Sequence, residues 1–277
     1  AELMGISGEA FRLNVPRNCR WQDIATYDWS YAAYRMLEQL GVSGTCHGRP
    51  GSAAFAPEQQ ASLLASIQQS LDRGIPVIVR NMRMNEFGFI CGYNDETREV
   101  RYRGYNREVL HCRYEQLGRN EDGRPLFVLC VHGKTSPPLN DAGVLRSIVR
   151  HARGQEPPLN DFAFGLASYR LWLEAVESGT LDLSGHAYQV AILSEARQRA
   201  AEYLNLLADK YPRASERLRA AAHCYAEAAG AFTRMYPRFP FGYGGSHGNR
   251  FGIIHDGLTA ARDAETQGVA LLECCEL

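Results

Sequence analysis

Residues 74–95 read GIPVIVRNMRMNEFGFICGYND. Gly74 ends one periodic run, and the period then changes from helical to alternating. Val77, Ile78 and Val79 form a short apolar run behind Pro76, and Phe87–Tyr93 form a second. β-branched and aromatic residues bounded by Gly, Pro and Asn-Asp predict two strands, 76–81 and 87–93. Asn94-Asp95 is a turn signal, so the chain is expected to reverse into a third strand at 98–103. A fourth is predicted at 125–131, PLFVLCV. Together they predict a small antiparallel sheet.

Upstream of this stretch the period is helical. Ile24, Tyr27, Tyr31, Tyr34, Leu37 and Leu40 share one face of a helix predicted over 22–40, which Gly41 stops. Pro57 opens a second helix, with Leu63, Leu64, Ile67 and Leu71 inward. Downstream no strand is predicted from about residue 139 onward. Helices are expected at about 141–153, 161–178, 186–210, 214–235 and 251–275. Leu218, Ala222, Tyr225, Ala229 and Phe232 mark the buried stripe of the fourth. The pentapeptide PPLND occurs at 137–141 and 157–161 and reads as two helix entries. The expected architecture is α+β: an α+β domain over 1–133, then an all-helical bundle or cap over 140–277.

The chain has 277 residues, 45% of them apolar, enough for a packed core. Thirty basic and 31 acidic residues leave a net charge of −1. That balance provides no electrostatic footprint for nucleic acid or an anionic membrane, and no apolar run is long enough to cross a bilayer. No basic segment followed by an apolar core opens the sequence, so no signal peptide is expected. None of the eight cysteines shows C-x-x-C spacing, which favours reduced thiols and a cytoplasmic location.

Motifs for common chemistries are weak. Gly244-Gly245-Ser246-His247-Gly248 fits G-x-S-x-G but lacks the preceding strand of a nucleophile elbow. Gly44-Thr45-Cys46-His47-Gly48 is its thiol counterpart and is expected to follow a helix end rather than a strand. His111-Cys112 and His223-Cys224 have no second half for a metal site, and no phosphate-binding glycine loop appears. No metal or cofactor is expected. The glycine- and aromatic-rich stretch 236–250 is either a lid or an ordinary helix connection.

The order helix, G-x-P-V-I-V strand, then apolar strand ending in G-Y-x-D resembles papain-like cysteine peptidases of the bacteriocin-leader-processing type. It is most similar to the branch containing the butirosin-biosynthesis acyltransferase. Met4-Gly5-Ile6-Ser7-Gly8-Glu9-Ala10-Phe11-Arg12-Leu13 resembles a segment of that branch, as does the helical second half with Phe239-Pro240-Phe241. The resemblance implies a papain-like fold and acyl-transfer or amide-hydrolysing activity in bacterial secondary metabolism. It implies a cysteine at the start of an N-terminal helix, a histidine on the strand before G-Y-x-D, and an Asp or Asn orienting it. That helix would precede Met4, so the nucleophile is expected outside this chain, Cys19 being a candidate thiol within it. Glu86 stands nearest the histidine position and is the candidate base; Asn106 is the candidate orienting residue or else a turn residue. Tyr93, Phe241 and Tyr243 are the candidate substrate contacts. The implied partners are a small-molecule or peptide substrate and a carrier-protein acyl donor. The missing histidine supports an alternative, a catalytically inactive papain-like fold that binds a small molecule or peptide. A scaffold using the helical half is a third reading.

Overall fold

A computed structural model describes residues 1–25, 27–48, 54–82, 86–104, 106–119, 126–156, 162–236 and 250–277. The elements in chain order are α1 (Glu2–Ile6), β1 (Asn14–Pro16), α2 (Trp21–Ala25), α3 (Trp29–Leu40), β2 (Val42–His47) and α4 (Pro57–Asp72). Then follow β3 (Val77–Arg80), β4 (Phe87–Asn94), β5 (Glu99–Arg103), β6 (Val109–Arg113), β7 (Phe127–Lys134), α5 (Asp141–Ala152) and β8 (Phe162–Phe164). The chain ends with α6 (Ala167–Glu177), α7 (Leu183–Lys210), α8 (Ser215–Met235) and α9 (Arg250–Glu273). The fold is mixed α+β, with small antiparallel sheets and a helical C-terminal region. No helix among the described residues is long and apolar enough to cross a membrane.

Two compact units emerge. One comprises Ala25–Pro138, the other Ala1–Ile24 with Leu139–Leu277. This corrects the expected boundaries, because residues 1–24 form one compact unit with the C-terminal helices. Leu13, Val15 and Cys19 share a core with Trp172, Val190 and Phe232, while Ala10 and Phe11 pack with Leu204 and Leu218. The absence of strands beyond residue 139 is corrected too. β8 pairs antiparallel with β1, Asn14 opposite Phe164, so the predicted helix at 161–178 begins only at Ala167.

The sheet unit is a six-stranded antiparallel sheet in the order β2-β7-β3-β4-β5-β6. All four predicted strands are present. The predicted helix over 22–40 is broken into α2 and α3, and Asp28 restarts it by accepting the backbone N–H of Ser30 at 3.0 Å. Gly41, at φ 64°, closes α3. The stretch around Cys46 follows the end of α3, as expected, and itself forms a strand not expected from the sequence, β2, paired along β7 with Thr45 opposite Cys130. Strand alternation then sends the sheet's side chains to two faces. Val77, Val79, Ile90, Val100 and Val128 meet Leu63 and Ile67 of α4. On the other face Phe127 and Leu129 meet Ala33 and Leu37 of α3.

Among the described residues, the helical unit carries buried charge engaged in ion pairs and hydrogen bonds. Arg197 and Glu265 form a two-pronged pair at 2.6 and 3.0 Å. Tyr169 donates to Glu265 at 2.7 Å, and Arg197 also donates to the carbonyls of Ala10 and Arg12. Nearby in sequence to those carbonyls, the Leu13 N–H donates to His151 Nε2 at 2.9 Å, and His151 Nδ1 lies 3.1 Å from buried Glu156. The first copy of PPLND behaves as a helix entry: Asn140 accepts the N–H of Gly143 at 2.8 Å and starts α5. The second copy lies outside the described residues.

Candidate active site

The sheet positions a cavity of about 300 Å³ at the end of β4 and β5. Its floor is the α4 side of the sheet, with Val79, Gly88, Tyr102 and Leu110. Its mouth carries Glu86, Asn106 and Glu108. Glu86 and Asn106, twenty residues apart in sequence, are thus brought to one site. The cause is the hairpin: β4 and β5 pair Phe89 with Arg103, which brings the residues just before β4 beside those just after β5. Gly88 makes that approach possible, since a Cβ there would fall 2.4 Å from the carbonyl oxygen of Arg103.

Glu86 is half-buried, and burial raises its pKa against a smaller opposing influence of the Arg80 guanidinium. Arg80 is itself only 2% exposed. Its guanidinium lies 5.4 Å from the ring centre of Trp29 and 5.7 Å from that of Phe87. Trp29 is the first residue of α3 and meets Phe87 edge-on at 4.9 Å between ring centres. So the start of α3 abuts the start of β4, next to Glu86. Trp29 and Ser30 stand there, behind Asp28.

Asn106 is a turn residue. Its Oδ1 accepts the N–H of Glu108, and Gly104 and Arg107 close the same turn at 3.0 Å between N and O. Its amide also lines the cavity. Glu108 and Tyr102 are cavity residues that sequence reasoning missed. The available signal was the β5–β6 hairpin, which carries the turn to the cavity mouth.

The remaining candidates lie elsewhere. Tyr93 points to the α4 side and donates to Asp72 at 2.8 Å, a tie between strand and helix rather than a cavity wall. Cys19 belongs to the helical unit and is fully buried. Burial, and secondarily Asp182, push its thiol well above the usual range, which removes the thiolate role. Phe241 and Tyr243, with Ser246 and the rest of 237–249, lie outside the described residues. Burial also raises Cys46, Cys112 and Cys130 to about 11. Cys46 and His47 are neighbours on β2 and so project to opposite faces, which rules out a nucleophile–base pair. Among the described residues no group of three or more His, Cys, Asp or Glu is placed to hold a metal. The described lining of the cavity contains carboxylates, an amide, aromatic and aliphatic groups, and no thiol, hydroxyl of Ser or Thr, or imidazole.

Comparison of the chain with protein-family models and with curated proteins found no match.

Proposed function

We propose that residues 25–138 are a papain-like module that binds a small organic cation in the cavity around Glu86, and that it performs no thiolate chemistry. The carrying observation is the pairing of Glu86 and Glu108 at the mouth of a cavity whose floor is apolar and aromatic. A cation with an apolar body fits both parts: the carboxylates attract the charge, and Tyr102 and Leu110 take up the body. The cysteine implied by the papain resemblance would stand at the start of a helix beside the strand bearing the histidine. The helix beside Glu86 is α3, and it begins Trp29-Ser30. Tryptophan has no nucleophile, and glutamate cannot form an imidazolium–thiolate pair.

The test is titration calorimetry of the full chain with phenethylammonium, 2-phenylethanol and phenylacetate. The ammonium is expected to bind best, and Glu86→Gln to weaken it about tenfold, the size of a lost charge-assisted contact. Phenylacetate binding as well as the ammonium overturns the reading, as does an unchanged affinity in the variant.

The acyl-transfer or amide-hydrolysing reading keeps one specific support. Burial raises the Glu86 pKa, which suits a general acid or base. It requires Glu86→Ala to abolish turnover of an ester or amide substrate while the melting temperature holds. Its carrier-protein donor and its place in secondary metabolism rest on the resemblance alone.

A further inference from the structure

The opposite face of the same sheet carries a second hollow, of about 560 Å³. It is not a wall of the Glu86 cavity, because its residues occupy the alternate strand positions. Ile78, Phe89 and Val109 form its apolar floor, and Arg101 and Arg103 its charged side. Phe89 is 53% exposed, unusual for a side chain on an inner strand of a sheet, and Val109 on the edge strand β6 is 46% exposed. α3 packs on this face against Phe127 and Leu129, with Ile78 and Phe87 against the same cluster, and Phe89 and Val109 stay exposed.

The two arginines are neighbours on one face of β5, two residues apart. No carboxylate lines the hollow, and neither guanidinium makes an ion pair with a described residue. Arg101 is held in place by a local irregularity. β4 bulges between Ile90 and Gly92, and Arg101 Nη2 reaches the carbonyl of bulged Cys91 at 3.5 Å. Gly92 makes room for it: a Cβ there would lie 3.1 Å from Nη2. The bulge and the glycine together hold the Arg101 guanidinium beside the β4 backbone, and Arg103 and the apolar side chains line the same hollow.

From this we infer that the second face binds a small amphipathic carboxylate, an aliphatic chain ending in a free carboxylate. Planar guanidinium groups match a carboxylate in charge and shape, and a two-pronged contact adds direction. The floor then takes the aliphatic chain out of water. The hollow has the size of a small-molecule site, within the roughly 300–1,000 Å³ such sites span. This inference is independent of the cation reading, since it uses other residues on the other face.

The experiment is calorimetry of the full chain with octanoate, 1-octanol and octyltrimethylammonium. Octanoate should bind at one saturable site, and octanol about tenfold more weakly, the worth of the charge-assisted contact. Octyltrimethylammonium should not compete. The double variant R101Q/R103Q should lose octanoate binding by about tenfold or more with its circular dichroism unchanged. Should that variant fail to fold, Val109→Glu decides: it sets a like charge at an exposed edge position and should abolish octanoate binding. Equal binding of octanol and octanoate overturns the proposal, as does octanoate binding that survives both changes. Dimerisation on sedimentation that octanoate does not reverse, and that Val109→Glu abolishes, also overturns it by assigning the face to a second copy of the chain.

Discussion

The two units treat charge in opposite ways. In the helical unit, ionic groups are taken out of water and satisfied internally. Arg197, Glu265 and Tyr169 form one buried network, and Arg12, His151 and Glu156 another. In the sheet unit Arg80 is buried too, against Trp29 and Phe87, but Glu86, Glu108, Arg101 and Arg103 line hollows instead. A buried charge that has lost its partner is strongly unfavourable, so the helical networks specify packing. A half-exposed charge at a cavity mouth costs little and stays available to a ligand. The lesson is that the conspicuous ion pairs of this protein hold structure, and the less conspicuous charges are the candidates for binding.

The sharpest way to break this contrast is one chemical change made in both units. Glu265→Gln should destabilise the protein by about 3–5 kcal/mol, because Arg197 is left buried without its counter-charge. Glu86→Gln should change stability by no more than about 0.5 kcal/mol, as for a surface position. Urea denaturation of the two variants measures both, and similar losses would dissolve the distinction.

Acid should separate the units next. Burial lowers His186 to about 3 and also lowers His151. Their folded values lie below their unfolded ones, so the stability they contribute is complete above about pH 6.5 and is lost as pH falls toward 3. The melting temperature should fall over that range, and His186→Gln should flatten the fall. For Glu86 the direction is reversed. Its raised pKa means that phenethylammonium binding should weaken on acidification at a pH above the usual carboxylate range. A pH series of titrations checks this.

A smaller effect concerns the junction of the N-terminal segment with α7. Asp182 accepts the N–H groups of Ser184, Gly185 and Trp21, capping α7 and tying down residues 17–21 together. Asp182→Ala should cost about 1–2 kcal/mol, read from the shift in urea midpoint. Smallest of all should be any difference in thiol reactivity. No cysteine should react with iodoacetamide faster than an exposed free thiol, which mass spectrometry of a time course reads directly. One fast cysteine would restore the thiolate chemistry set aside above.

Much of the sheet was legible because its central strands are dense in β-branched and aromatic residues. Residues 76–81 and 87–93 lie within one residue or so of β3 and β4. The strands that were missed are those whose local signal is thin. β2 reads Val42-Ser43-Gly44-Thr45-Cys46-His47, half-buried throughout, and exists because β7 offers it a ladder. β1 and β8 have three residues each and define one another, and β6, Val109–Arg113, pairs only along β5 at the sheet edge. Of the candidate site, Glu86 and Asn106 were reached from sequence, whereas Glu108 and Tyr102 needed the register of two hairpins.

What the sequence alone determined was local: the helices after residue 139, the two helix stops at Gly41 and Gly74, and the change of period that makes a sheet. These follow from propensity, capping and periodicity, which act over a few residues. Only the tertiary structure decided that residues 1–24 join the helices, that Trp29 meets Phe87 beside Glu86, and that one sheet carries a carboxylate-lined cavity on one face and an arginine-lined hollow on the other. The physical reason is that apolar burial has no direction. Phe11, Leu13 and Val15 would enter any core, and which core they enter depends on surfaces more than a hundred residues away.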